Sequence, residues 1–171
     1  TIVSIVIISL VSILGYNFSP LFKNRIQQVF YDFAVLTTNP NTSIGHRIIF
    51  TKNTLEMIKN NPLIGVGTGD FPIEYEKINL VNSPAVKSTV QPHNMYLYVQ
   101  AQLGIIGLVS LLWIFFTQVK IALASNNLFN HNVGVALPVL FLLIMLSDTY
   151  LLGHFTSNLF ILFSSFIYSN R

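Results

Sequence analysis

Two residues, His93 and Arg47, have the side-chain types and settings for chemistry on a polar substrate. His93 directly follows Pro92 and is expected to open a long apolar helix, whose positive end favours a neutral imidazole able to accept a proton. Going down that helix, His93, Gln100, Gly104, Gly107 and Leu111 are spaced by seven, four, three and four residues, which puts them on one stripe. A stripe of polar and small residues on a membrane helix faces protein. The other reading of His93 is a histidine that merely caps the helix. Arg47 keeps its charge and presents a rigid donor fork, suited to a phosphate or diphosphate at a membrane surface. Its other reading is a solvated loop arginine. Lys52, Lys59, Lys77 and Lys87 could add long-range attraction, but nothing singles out one of them.

Asn61-Pro62-Leu63-Ile64-Gly65-Val66-Gly67-Thr68-Gly69-Asp70-Phe71 is a glycine-rich turn. No Gly-Lys-Ser/Thr follows it and its spacing is not that of a dinucleotide loop, so it does not read as a nucleotide site. Alternating glycines let a backbone take positive φ and approach a neighbour closely. Asp70, Glu74 and Glu76 lack the companions and spacing of a metal site. His46, His131 and His154 have no paired spacing, and Asp148 near His154 could at most form a relay. With no cysteine, thiolate nucleophiles, Cys-ligated zinc and disulfides are excluded.

The elements that must position these residues belong to a membrane protein. Of 171 residues, 52% are hydrophobic and 9% charged, with a mean hydropathy of +0.61, whereas average globular chains carry about 25% charged residues. This excludes a nucleic-acid binder, a disordered tail and a disulfide scaffold. The net charge of +3 is no polybasic surface. The expected fold is all-α: a polytopic transmembrane helix bundle with a large, partly helical extramembrane loop. The chain begins at Thr1 inside an apolar run and reads as the C-terminal piece of a longer protein. Residues 1–16 are expected to end a truncated transmembrane helix, 17–93 to form the loop, 94–119 to span, 120–132 to turn, and 133–171 to hold two more transmembrane segments. Tyr96 and Tyr98 near one end of the central span and Trp113 near the other suggest aromatic belts, and Pro138 is expected to kink the next span.

Within the loop, Phe18 to Phe33 predicts an interfacial helix with Leu21, Phe22, Ile26, Val29, Phe30 and Phe33 on one side, a hydrophobic lid. Ser43 to Lys59 predicts an amphipathic helix on Ile44, Ile48, Leu55 and Ile58, with Lys52 and Glu56 paired and Asn60, Asn61 and Pro62 ending it. Counting spans puts Lys120 and Arg171 on one face and the loop with Asp148 on the other. Lys23, Arg25 and Lys87 lie near the membrane on the loop side, so charge alone leaves orientation open.

The order of elements is more specific than any one of them. Ser43-Ile44-Gly45-His46-Arg47, the amphipathic helix, the glycine-rich turn, His93-Asn94-Met95-Tyr96-Leu97 and Gly104-Ile105-Ile106-Gly107-Leu108 together resemble the O-antigen ligase and polymerase family, over about Ser43 to Trp113. The resemblance implies a multi-pass bacterial inner-membrane glycosyltransferase with a periplasmic loop, and Lys120 and Arg171 cytoplasmic. It implies transfer of a glycan from undecaprenyl diphosphate to an acceptor hydroxyl, on lipid A-core for ligases or on a growing glycan for polymerases, in cell-surface polysaccharide biosynthesis. No cofactor, nucleotide sugar or metal is implied, and no nucleic-acid partner. By position, His93 matches a histidine proposed as general base and Arg47 an arginine thought to hold the lipid diphosphate, with Asn94 and Tyr96 expected to orient His93 or shape the substrate pocket. Gln102 stands where many members have Glu, so no carboxylate role carries over there. The alternatives are a polymerase with a glycan acceptor and a non-enzymatic transporter segment whose basic loop collects anionic lipid.

Overall fold

A computed structural model describes residues 2–36 and 38–169. Thr1 and Arg171, on which expectations about truncation and the inner face rested, lie outside them. The described residues form helices and no strand: α1 (Ile2–Phe18), α2 (Pro20–Ala34), α3 (Ser43–Asn60), α4 (Phe71–Asn82), α5 (Met95–Leu123), α6 (Leu128–Ile144) and α7 (His154–Tyr168), with a 3-10 turn at Tyr150–Leu152. The chain divides into two units, Thr1–Ile48 and Ile49–Arg171.

In the first unit, Ser19 caps α2 by accepting the Phe22 N–H, and Pro20 suits the first turn, where its missing N–H costs nothing. The α2 face anticipated as a lid leaves Leu21 79%, Phe30 71% and Phe33 59% exposed, a surface suited to a lipid interface. Buried Asp32 reaches the start of α3, where its Oδ2 accepts the Ile44 N–H at 3.3 Å. A carboxylate at that end satisfies a free N–H and meets the positive helix terminus.

The second unit has two cores. The first joins Phe50, Met57 and Ile58 of α3 to Phe71 and Tyr75 of α4, Val86 and Ala101 of α5. The face of α3 that is buried therefore differs from the expected one: Leu55 is exposed, while Asn53 and Thr54 are buried beside Phe50, Met57 and Ile58. Polarity hid that face. Asn53 donates to Tyr75 Oη and Asn79 Oδ1, and Asn79 donates to Val86 O, so the amides pair with one another across α3 and α4. Glu56 accepts from Asn82 at 2.6 Å rather than pairing with Lys52.

The second core packs Met95 and Phe115 of α5 on Phe141 and Met145, with Phe160 of α7 5.4 Å from Phe115 and 4.6 Å from Phe141 between ring centres. Only α5 is long and apolar enough to cross a membrane among the described residues; α6, which runs through Pro138, has 17 residues and α7 has 15. The several spans anticipated are thus matched by one clear candidate. Tyr96 and Tyr98 turn toward protein: Tyr96 bonds α6, and Tyr98 packs 5.3 Å from Phe71.

Candidate functional site

The site is assembled where α5 begins. Asn94, not His93, caps α5, with its side chain accepting the Leu97 N–H at 3.1 Å. Such a cap is worth about 1 kcal/mol. Three further bonds tie this segment to the end of α6: Asn94 Nδ2 to Leu146 O at 3.2 Å, Met95 N to Met145 O at 2.9 Å, and Tyr96 Oη to Leu142 O at 2.6 Å. A helix C-terminus leaves carbonyls without intrahelical partners, and here the residues after His93 supply the donors. The connection that follows α6 is thereby brought against His93.

That connection carries Asp148. His93 Nδ1 lies 3.2 Å from Asp148 Oδ1, across 55 positions of sequence, and the imidazole stacks on Phe50 with centres 6.1 Å apart and planes at 23°. An ionised carboxylate only accepts, so Nδ1 carries the hydrogen. Nε2, which makes no hydrogen bond among the described residues, is then left with a lone pair. Burial pushes the Asp148 carboxyl up, but the Thr149 N–H at 2.7 Å and the His93 imidazole more than offset it, and the net shift is downward. Gln91 and Thr149 brace the pair: the Thr149 hydroxyl donates to Gln91 Oε1. The backbone of His93 has φ of 54°, the one positive value at a non-glycine residue among those described. Such a conformation is uncommon outside glycine, and strain of this kind clusters at functional sites.

The expected stripe does not form. Gly104 has φ 63° and ψ −163°, which interrupts α5 between two helical stretches, so His93 and Gln100 on one side do not align with Gly107 and Leu111 on the other. The glycine-rich turn fills the break. Val66 N donates to Ala101 O at 2.9 Å, Gly67 N to Gln102 O at 3.0 Å, and Ile105 N to Pro62 O at 2.9 Å, so the groups freed by the interruption find partners. Gln102, buried, accepts the Gly69 N–H on Oε1 at 2.6 Å. A neutral amide serves there as well as a carboxylate would.

Arg47 belongs to the other unit. It lies in the first turns of α3, exposed, beyond Gly45, which packs so closely on Pro40 that a β-carbon would overlap Pro40 O. Thr42 Oγ1 accepts the Gly45 N–H at 3.1 Å. Together with Asp32, these contacts fix the start of the helix that presents the guanidinium.

Residues 1–112 match the O-antigen ligase family, well over half of the chain. The chain belongs to the O-antigen ligase family. Members are membrane-associated ligases and polymerases of glycosyltransferase type. No curated protein matches the chain. The family-matched part holds Arg47, His93, Asn94, Tyr96 and Gly104, whereas Asp148 lies beyond it. Sequence reading set Asp148 beside His154; in the structure it holds His93, and His154 is exposed at the start of α7. Its only signal was a lone acid in an apolar stretch. Among the described residues of this O-antigen ligase family chain, no three His, Asp or Glu side chains converge as a metal site needs.

The lowered Asp148 carboxyl has a consequence for acid stability. Its stabilising contribution is complete above the ordinary carboxylate value of 3.8 and is lost as pH falls through the lower folded-state value. Thermal unfolding of the wild type should therefore lose stability, relative to Asp148→Asn, only below about pH 4. A difference confined to pH above 6 would contradict the pairing.

Proposed function

We propose that this chain carries the reaction face of a membrane ligase that moves a glycan from undecaprenyl diphosphate to a hydroxyl of lipid A-core. His93 Nε2 takes the proton of the acceptor hydroxyl. The freed oxygen attacks the anomeric carbon, a new carbon–oxygen bond forms, and the bond to the diphosphate breaks with its electron pair leaving on the phosphate oxygen. Asp148 stabilises the imidazolium so formed through Nδ1, and Arg47 stabilises the negative charge gathering on the diphosphate. Asn94 and Tyr96 orient His93 by holding its segment to the end of α6.

The observation that carries this reading is the imidazole fixed at Nδ1 by Asp148 with Nε2 unengaged. A carrier that only gathers anionic lipid has no use for an oriented base. The polymerase differs in the acceptor alone.

In the proposed arrangement residues 17–93 are periplasmic, α5 crosses the inner membrane, 120–132 turn at the cytoplasmic face, and 133–171 return. The break at Gly104 supports a refinement. Ile105–Leu123, roughly 19 residues or about 28 Å, matches the ~30 Å hydrocarbon core, and its Ile106, Val109, Trp113 and Phe116 are exposed. Met95 to Leu103 stands above it, against α4.

The test is the donor dependence of transfer by the intact protein. Arg47→Ala should raise the concentration of undecaprenyl-diphosphate-linked glycan giving half-maximal rate by about tenfold or more, the loss of a charge-assisted bidentate contact. Arg47→Lys should recover little of it, because an ammonium lacks the fork. An unchanged donor requirement in both variants would remove Arg47 from the diphosphate.

A further inference from the structure

An open cleft of about 410 Å³ lies beside Asp148, lined among others by Gln91, Thr149, Tyr150, His154 and Phe155. Its size falls within the range of small-ligand pockets. No lysine or arginine lines it among the described residues, and it carries the Asp148 carboxylate, so its chemistry disfavours a diphosphate or an anionic headgroup. The polar groups it offers are of both kinds. Gln91 Nε2 and the His154 imidazole make no hydrogen bonds among the described residues, while Thr149 Oγ1, which donates to Gln91, keeps acceptor capacity. Phe155 is 88% exposed at the rim, an aromatic face with nothing packed over most of it.

A neutral ligand with ring faces and many hydroxyls suits this combination. Resting on the transfer reading above, we infer that the cleft is the acceptor-sugar subsite, with Phe155 and His154 setting which glycan is accepted. Two observations support this. The cleft carries Asp148, whose carboxylate accepts from His93 Nδ1, so it adjoins the pair that holds the proposed base although the imidazole itself is not part of its lining. Apart from Gln91, its lining comes from one short connection, residues 148–156, so the same stretch of chain builds the cleft and supplies the carboxylate that holds His93.

The experiment measures binding to the intact, detergent-purified protein and to its Phe155→Ala and His154→Ala variants, neither of which alters the His93–Asp148 pair. The probes are core oligosaccharide freed of its lipid, free repeat-unit glycan, and undecaprenyl diphosphate. Phe155→Ala is expected to weaken one of the two sugars by about tenfold while undecaprenyl diphosphate binding is unchanged; which sugar responds names the acceptor. Both sugar affinities unchanged in both variants, with donor binding intact, would overturn the subsite alone. A wild type that binds neither sugar nor undecaprenyl diphosphate would overturn the transfer reading and the subsite with it.

Discussion

Glycan transfer by the His93→Gly protein is expected to fall by about 10²- to 10⁴-fold, while the protein stays folded in its membrane. The two effects separate because of the backbone. At φ of 54° glycine is at ease and histidine is not, so the substitution relieves strain as it removes the Asp148 bond and the Phe50 stack. The bonds that hold the segment come from Asn94, Met95 and Tyr96 and survive. His93→Ala should lose transfer equally but be less stable than His93→Gly, since alanine keeps the unfavourable φ. The measurement is initial transfer rate beside thermal unfolding of the same preparations. A His93→Ala protein more stable than His93→Gly would show that the positive φ is not imposed on this position.

Gly104→Ala is expected to cost at least about 3 kcal/mol and to lower the amount of folded protein. Its φ and ψ fall in a region open essentially to glycine alone, and a β-carbon would overlap the backbone of Leu63. Relief by straightening α5 would evict the glycine-rich turn and orphan the Val66 and Gly67 N–H groups, because Ala101 O and Gln102 O would return to bonds within the helix. Gly15→Ala offers the comparison: it lies within α1, where a β-carbon would meet only the Phe22 ring at 3.4 Å, ordinary van der Waals contact, and should cost far less. Unfolding midpoints in denaturant would report the difference, and equal costs at the two positions would contradict the docking of the turn into the break.

How much of this could be read from residues alone differs by element. α2 was legible from its apolar side, though with a start two residues early, at Phe18 rather than Pro20, and the end of α3 was legible because Asn60-Asn61-Pro62 is a strong stop signal. The face of α3 was not, because its buried surface carries Asn53 and Thr54, paired with partners that a periodicity argument cannot see. For the same reason α4, with Asn79 buried beside Phe71 and Tyr75, gave no apolar pattern. Gly104 looked like one small residue on a helical stripe; only the approach of Pro62 to Gly69 reveals it as the point where the helix opens. His93 was legible from its place after proline and before an apolar run. Asp148 was not, since a hydrogen bond spanning 55 positions leaves no local mark.

The most direct test of His93 as the base is chemical rescue: transfer by the His93→Gly protein from undecaprenyl-diphosphate-linked glycan to lipid A-core as imidazole is added. Almost no transfer is expected at first, then recovery in proportion to neutral imidazole entering the space beside Asp148. Transfer near the wild-type rate with no imidazole present would contradict that role for His93.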